Sequence, residues 1–393
     1  MWRSSRDWFA LASQCFFCDL NEIRRTRLEM TYVKYNPNLE RPRPDEDKFV
    51  DKIVEALHRN NEWAFKKYKH GIRDAHAKSH ACLRGELEIY RDLPAELRQG
   101  LFATPKKYPV IARLSSTHPA IRSDQIRGVR AIAIKVIGVQ GRRAVENDDA
   151  NTQDFVLVNH PDFPYADARD YYKKGMPAAW VLARLPDGLL WVVTEVMAAA
   201  RWLLSIFDVP FPPALALFTG PNNNILGETY HSAAPLRYGE YVAKINLVPF
   251  SKSVRQLRGR RIPRNAGPEA LRLIVADFFG KNSAEYEVQV QLCTDTAAMP
   301  IEDATVHWPE SESPPRGVAR ITFGVQKADS FNRRVYADDV LSFNSWRALA
   351  AHRPLGSINR LKRKVYDASS DFRHKVNNAP QIEPRRIWEL PRE

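Results

Sequence analysis

Cysteine is scarce in this chain, with four residues among 393: Cys15, Cys18, Cys82 and Cys293. So small and scattered a set excludes a disulfide framework and favours a reducing compartment. We therefore expect a cytoplasmic protein, with the periplasm as the alternative because the N-terminus weakly resembles a signal peptide. The pair at 15 and 18 has C-x-x-C spacing, but no second pair and no nearby histidine pair accompanies it, which argues against zinc.

Acidic residues are too few to balance the basic ones, with 46 against 59, so the formal net charge is +13. Such a field concentrates anions. The arginines are spread along the chain and do not form one block with interleaved aromatic residues, which argues against nucleic acid as a partner. An anionic membrane surface and a buried anionic ligand remain open.

Long hydrophobic runs are also rare, and one segment, 189–207, stands out as LLWVVTEVMAAARWLLSIF. Its length would suit a membrane span, but Glu195 and Arg201 near its middle would be costly there. The segment predicts a soluble or interfacial helix. Core packing is the favoured explanation of its hydrophobic residues, and peripheral membrane contact through residues 186–218 is the alternative.

Hydrophobic periodicity predicts both helices and strands. Helical spacing covers 44–68, 268–280 and 354–376, and alternation of period two covers 82–90, 109–116, 128–138, 154–159, 241–250, 284–294 and 317–325. Many strands separated by long excursions predict an α+β protein with an antiparallel β-barrel core and surrounding helices. Residues 1–29 are predicted to be an N-terminal extension, disordered or helical, and residues 30–393 to form one domain.

Chemistry-bearing side chains occur in three segments. RDAH holds Arg73 and His76, which on extended backbone would point to opposite faces of a strand. Arg113 and Ser115 are two apart and share a face of a strand, where a buried arginine needs a partner, either an internal carboxylate or a ligand.

The third segment is a C-terminal helix. Arg373 lies seven residues after Tyr366, two turns along the same helical face, so a phenol and a guanidinium can meet one ligand.

With these segments the chain resembles the haem catalase superfamily, and within it the short catalase-related proteins, over residues 40 to 376. The matching segments are RDAHAKSHA, IARLSS, NTQDFVLVNHPDFP, YEVQVQL, MPIEDATVHWPE and the helix around Tyr366. Each is weak alone, and their order and spacing together are specific.

The resemblance implies haem b as the cofactor and assigns residues to it. Tyr366 would be the iron ligand, and His76, Asn151 and Ser115 the catalytic residues. The other cofactor-binding residues would be Arg73, Arg113, Phe163, Lys362 and Arg373. It implies reduction of hydrogen peroxide or organic hydroperoxides through a ferryl intermediate, with a small-molecule electron donor.

Two positions depart from the family pattern. Lys362 stands four residues before Tyr366, where the family has an arginine, so the phenolate would be stabilised less firmly. Ala75 precedes His76, where the related allene oxide synthase has threonine, and this favours peroxidase or catalase chemistry.

Two other functions remain open: a fatty-acid hydroperoxide isomerase or lyase, and a haem-binding protein without turnover. A lipid hydroperoxide is a candidate substrate for the enzyme, and a homodimer is the default assembly. His80 is expected at the surface or behind the site. His118, His160 and His231 are expected to be structural.

Overall fold

The computed structural model describes residues 31–146 and 148–392. Cys15, Cys18 and the predicted extension 1–29 lie outside the described residues. Five helices of nine residues or more are numbered here in chain order: α1 (Glu46–Tyr68), α2 (Met176–Arg184), α3 (Asp187–Ile206), α4 (Ala270–Lys281) and α5 (Ser357–Asn377). The predicted helices near both ends and before the eighth strand are confirmed.

Nine strands are described, and they include all seven predicted ones. They are β1 (Lys78–Ile89), β2 (Lys107–Ser116), β3 (Arg130–Ile137), β4 (Thr152–Val158), β5 (Tyr230–His231), β6 (Leu236–Tyr238), β7 (Tyr241–Pro249), β8 (Ala284–Leu292) and β9 (Arg316–Phe323).

Short helical turns connect the longer elements. They cover Pro37–Leu39, Gly100–Phe102, Ala168–Asp170, Tyr171–Gly175, Pro213–Ala216, Ile225–Gly227, Lys252–Arg255, Phe331–Val335, Tyr336–Val340, Ala350–His352 and Ile387–Glu389.

The strands form a closed antiparallel barrel, as predicted. Their order is β5-β4-β3-β2-β1-β9-β8-β7-β6, and β5 also pairs with β7, which joins the two ends into a ring of eight strands with β6 on its edge. Closure leaves the ring no unpaired strand edge. Inward side chains such as Leu114, Ile132 and Ile134 pack in the barrel core.

Helices α1 and α5 pack against each other outside the barrel. Ile53 and Leu57 of α1 share a hydrophobic cluster with Ile358 and Leu361 of α5. Arg360 joins the same two helices, since its Nε donates to Oε1 of Glu46 at 2.6 Å. This helical layer faces the outer side of β2, β3 and β4 across a cavity.

Helix α3 lies on the surface. Of its twenty residues only Leu190 and Thr194 are buried. The favoured interpretation that its hydrophobic residues pack in a core is therefore wrong. By length and composition α3 is the one described helix that could cross a membrane.

Candidate active site

A cavity of about 300 Å³ lies between the barrel wall and the helical layer. Helix α5 forms one wall with residues spaced at three and four, so they make one stripe along the helix. This stripe consists of Ile358, Leu361, Lys362, Val365, Tyr366, Ser369, Ser370 and Arg373. The predicted common face of Tyr366 and Arg373 is therefore confirmed, and Lys362 lies on it.

The barrel supplies the facing wall through alternate residues of three neighbouring strands. Arg113 of β2 pairs with Ala133 of β3, which pairs with Val156 of β4. In the next row Ser115 pairs with Ala131. All of them line the cavity. Because β3 contributes only alanines there, little side-chain volume projects from the wall, and room is left for a ligand.

Arg73 and His76 reach the cavity from a bend and not from a strand. His76 has φ of 58°, and β1 begins two residues later at Lys78. The expectation of opposite faces applied to extended backbone, and the bend at His76 removes that condition. Both side chains line the same cavity. The left-handed conformation is uncommon outside glycine and is held by a bond from Nη2 of Arg113 to the His76 carbonyl, 2.9 Å.

His76 is neutral in this environment. Burial, and then the charges of Arg113, Arg73 and Lys362, lower its pKa to about 3. Oγ of Ser115 lies 3.2 Å from Nδ1 of His76, so these two predicted catalytic residues are in contact. In the tautomer in which Nδ1–H donates to Ser115, Nε2 carries the free lone pair.

Tyr366 is a protonated phenol in the protein without ligands. Burial, and then the charge of Asp74, raise its pKa. Asp74 also lines the cavity and accepts a hydrogen bond from Oγ of Ser369 at 2.7 Å. Burial lowers the pKa of Lys362 to about 8, and its Nζ lies 5.9 Å from the ring centroid of Phe163, another cavity residue. Lys362 is thus still mostly charged at neutral pH.

Three guanidinium groups meet at one edge of the cavity around a single turn, Tyr336–Val340. Oδ1 of Asp338 accepts from Nη2 of Arg113 at 2.8 Å and from Nη1 of Arg73 at 3.3 Å. Arg373 donates to the backbone carbonyl of Asp339 at 2.8 Å. Burial alone would raise the pKa of Asp338, but Arg113 and Arg73 hold it below its ordinary value.

Asp338 is a partner that the sequence could not identify. The internal ion pair foreseen for Arg113 is present, and yet Arg113 and Arg73 both still line the cavity. Among the described residues Nη1 of Arg113 has no hydrogen-bond partner. The edge therefore keeps donors and positive charge for an anionic ligand.

The structure does not bring Asn151 to the cavity. Asn151 is exposed, directly before β4, and its carbonyl accepts from the backbone of Gly138 and Val139. The residues of β4 that line the cavity, Val156 and Val158, are apolar and lie further along the strand. Asn151 is therefore not placed to act on a ligand in the cavity.

Other histidines also differ from expectation. His80 is buried at a β-bulge, where Nε2 lies 2.7 Å from Oγ of Ser116, so of its two expected positions the surface one is excluded and the one behind the cavity wall remains. His118 and His160 line the cavity, although both were expected to be structural. His231 lies outside it and contacts Asn246 at 2.9 Å.

Of these two histidines, His118 is the one with the stronger signs of a role in the cavity. It is buried, and among the described residues neither of its ring nitrogens makes a hydrogen bond of good geometry. It directly follows Thr117, which continues the alternation of Arg113 and Ser115 on the cavity side of β2. Alternation would place residue 118 on the other face, so no spacing rule pointed to His118.

Solved structures that are similar to this chain include three catalases. A fungal catalase matches with a TM-score of 0.54 at 15% identity, over 90% of this chain and 69% of its own. Catalase A from Saccharomyces cerevisiae matches with 0.55 at 15%, over 92% and 73%. A bacterial catalase matches with 0.51 at 14%, over 91% and 67%.

The chain has the catalase fold. This confirms the resemblance noted in the sequence at the level of the fold. No protein-family model matches the chain, and no curated protein matches it. Since identity to these catalases is low, the catalase-like fold places the cavity but leaves its chemistry to the residues that line it.

Proposed function

We propose that the protein is a haem-dependent enzyme that reduces peroxides. One observation carries the proposal: a single cavity holds a tyrosine from α5, a neutral histidine next to the barrel wall and a group of arginines at its edge. These are the three kinds of side chain that a tyrosine-ligated haem requires.

The charges at the arginine edge fit the two propionates of haem b. Arg73, Arg113 and Arg373 carry three positive charges, and the carboxylate of Asp338 offsets one of them. The charge of Asp339 also acts on Arg73 and Arg373, and the arginine edge still keeps a positive balance that the propionates would neutralise. Guanidinium groups also have the donor geometry that carboxylates accept best.

Tyr366 would hold the iron. As an iron ligand it would have to lose its phenol proton, which burial keeps in place in the protein alone. Lys362 lies one turn before it on the same helix face and would stabilise the phenolate by its charge. Phe163 and the alanines of β3 would contact the faces of the ring. A bound haem would supply iron that exchanges electrons with peroxides.

His76 would move the proton on the opposite side. Its neutral Nε2 can accept a proton from a peroxide and return it to the departing oxygen, so that water or an alcohol leaves. Ser115 would hold the ring in the required tautomer. His118 is a second neutral imidazole on the same wall. Proton transfer is assigned to His76 because Ser115 orients only that histidine. His118 would instead contact the substrate.

The proposal is tested with purified protein supplied with haem. Oxidation of a donor dye is measured with hydrogen peroxide and with a fatty-acid hydroperoxide, for the wild type and for His76→Gln. The matched control is His307→Gln, because His307 is more than half exposed and does not line the cavity. We expect His76→Gln to lower the rate at least about a hundredfold and to keep haem, with the control unchanged.

Three results would contradict this function. Loss of the fatty-acid hydroperoxide without a donor would favour the isomerase or lyase. Haem binding without any turnover would favour a binding protein. Equal rates in His76→Gln and the wild type would remove His76 from the chemistry.

A further inference from the structure

The surface around α2 and α3 is unusually apolar. Of the 21 exposed large hydrophobic side chains in the described part of the chain, 13 lie between residues 180 and 215. Single exposed hydrophobic residues are normal in a soluble protein, but a concentration of this size marks an interaction surface. We call residues 180–215 the apolar surface.

The end of α3 exposes several large hydrophobic side chains. Trp202 is 68% exposed and Ile206, one turn further on the same face, is 56% exposed, while the adjacent Leu203 is 52% exposed and Phe207, directly after the helix, 69%. A helix with so wide an apolar face is normally covered by protein core or lipid. Nothing among the described residues surrounds it in this way.

The two charged residues near the middle of α3 have partners within the protein, although Arg201 itself is exposed. Arg127 donates to both carboxylate oxygens of Glu195, at 2.6 and 3.1 Å. Arg201 donates to Oγ1 of Thr219 at 3.0 Å. The helix can thus lie flat on a bilayer with its hydrophobic residues outward, which a spanning orientation would not allow.

An arginine-rich loop lies beside α3. It carries five exposed arginines and no acid between residues 255 and 264: Arg255, Arg258, Arg260, Arg261 and Arg264. Hydrogen bonding by Arg127, and then the charges of Arg264 and Arg261, hold the pKa of Glu195 below its ordinary value. The hydrogen bonds agree with this position: the backbone N–H of Asn224 donates to the Arg260 carbonyl at 2.7 Å, and Arg127, which binds Glu195, donates to the carbonyl of Gly220 at 2.8 Å.

Only one helix separates the apolar surface from the cavity. Ala178, Ala179 and Leu182 of α2 line the cavity, while Trp180 and Val181 of the same helix are exposed. The segment after α3 contributes Phe218 to the cavity wall as well.

We propose that the apolar surface docks on a lipid bilayer that contains anionic lipids, with the arginine-rich loop on their head groups. Apolar area and basic charge side by side are what binding to such a surface requires. A second copy of the chain is a poorer occupant, since a two-fold contact through this surface would bring two arginine-rich loops together. The docking does not depend on the proposed enzymatic function.

The test is co-flotation of the full chain with vesicles. One set contains phosphatidylcholine alone, and a second contains added phosphatidylglycerol. We expect binding to the second set, weakened by salt and weaker on the first set. The variant Trp202→Gln/Phe207→Gln should lose at least about tenfold in affinity. Arg261→Gln/Arg264→Gln should lose about tenfold, and only on the anionic vesicles.

The matched control is Phe331→Gln/Trp388→Gln, which removes two side chains that are 72% and 62% exposed elsewhere. It should bind like the wild type. The proposal is overturned if the wild type does not float, or if Trp202→Gln/Phe207→Gln binds the vesicles as tightly as the control Phe331→Gln/Trp388→Gln. It is also overturned if sedimentation shows a dimer that Trp202→Gln/Phe207→Gln converts to a monomer.

Discussion

Oγ of Ser115 lies 3.2 Å from Nδ1 of His76, and this contact selects the ring nitrogen that is free to act in the cavity. Ser115 reaches this position because it alternates with Arg113 on β2. The barrel thereby positions a histidine that itself comes from an irregular bend.

Replacing Ser115 with alanine should slow the reaction without removing the cofactor. The loss of one hydrogen bond, worth about 1 kcal/mol, frees the imidazole to adopt the other tautomer. We expect donor oxidation to fall about fivefold to tenfold, with unchanged haem content by absorbance. Ser116→Ala is the control, because Ser116 faces His80 away from the cavity. An equal loss in both variants would indicate general destabilisation.

The rate of reaction with peroxide should be nearly independent of pH from about 5 to 7, below the pKa of about 8 of Lys362. The reason is that His76, with a pKa of about 3, stays neutral over this whole range. The measurement is stopped-flow absorbance of the haem-loaded protein after peroxide is added. A rate that falls with a midpoint near the ordinary histidine pKa of about 6.5 would show that His76 is not desolvated.

Acid should destabilise the fold through buried neutral histidines. The pKa of His352 is lowered to about 4 by burial, and Nε2 accepts from the Leu101 backbone at 2.8 Å. Since the unfolded chain binds the proton near pH 6.5, this stability is present above that pH and is lost as pH falls towards 4, by up to about 1.4 kcal/mol per unit. Urea unfolding of His352→Gln should show a shallower pH dependence than the wild type. An unchanged slope would contradict this.

Asp338→Asn should destabilise the haem-free protein. It leaves Arg73 and Arg113 without their shared carboxylate, at a cost of about 2–3 kcal/mol by denaturant unfolding. Added haem should stabilise the variant more than the wild type, because propionates replace the lost charge. The control Asp277→Asn removes an exposed ion pair with Lys281 and should change stability by less than about 0.5 kcal/mol. Equal stabilisation by haem in both proteins would place the propionates elsewhere.

Ala133→Leu should lower haem binding while the protein stays folded. Ala133 lies in the middle of the barrel wall, between Arg113 and Val156, and a larger side chain would fill the cavity there. Haem titration should show at least about tenfold weaker binding. An unchanged affinity would mean that the ligand does not lie against β3.

The sequence predicted the barrel because alternation of period two is local information. The pairing of β5 with both β4 and β7, which closes the ring, was not readable, because β5 has only two residues. The stripe on α5 was readable for the same local reason, since Lys362, Tyr366 and Arg373 repeat at helical spacing.

What sequence patterns missed depends on contacts between distant segments. Asp338 binds Arg113 across 225 residues, so no spacing rule could pair them. Asn151 matched a motif but is exposed before β4. The core position favoured for α3 was wrong because the hydrophobic pattern of a helix does not tell whether its residues are buried or exposed.

The central claim is that Tyr366 holds a haem in the cavity between α5 and the barrel. The most direct test is the absorption spectrum of protein produced with ample haem, for the wild type, Tyr366→Phe and the control Tyr171→Phe, which alters another tyrosine of the cavity wall. We predict a Soret band and a tyrosinate-ligated ferric spectrum in the wild type and the control, and loss of both in Tyr366→Phe. A wild type without a Soret band, or a Tyr366→Phe spectrum identical to the wild type, would contradict the account.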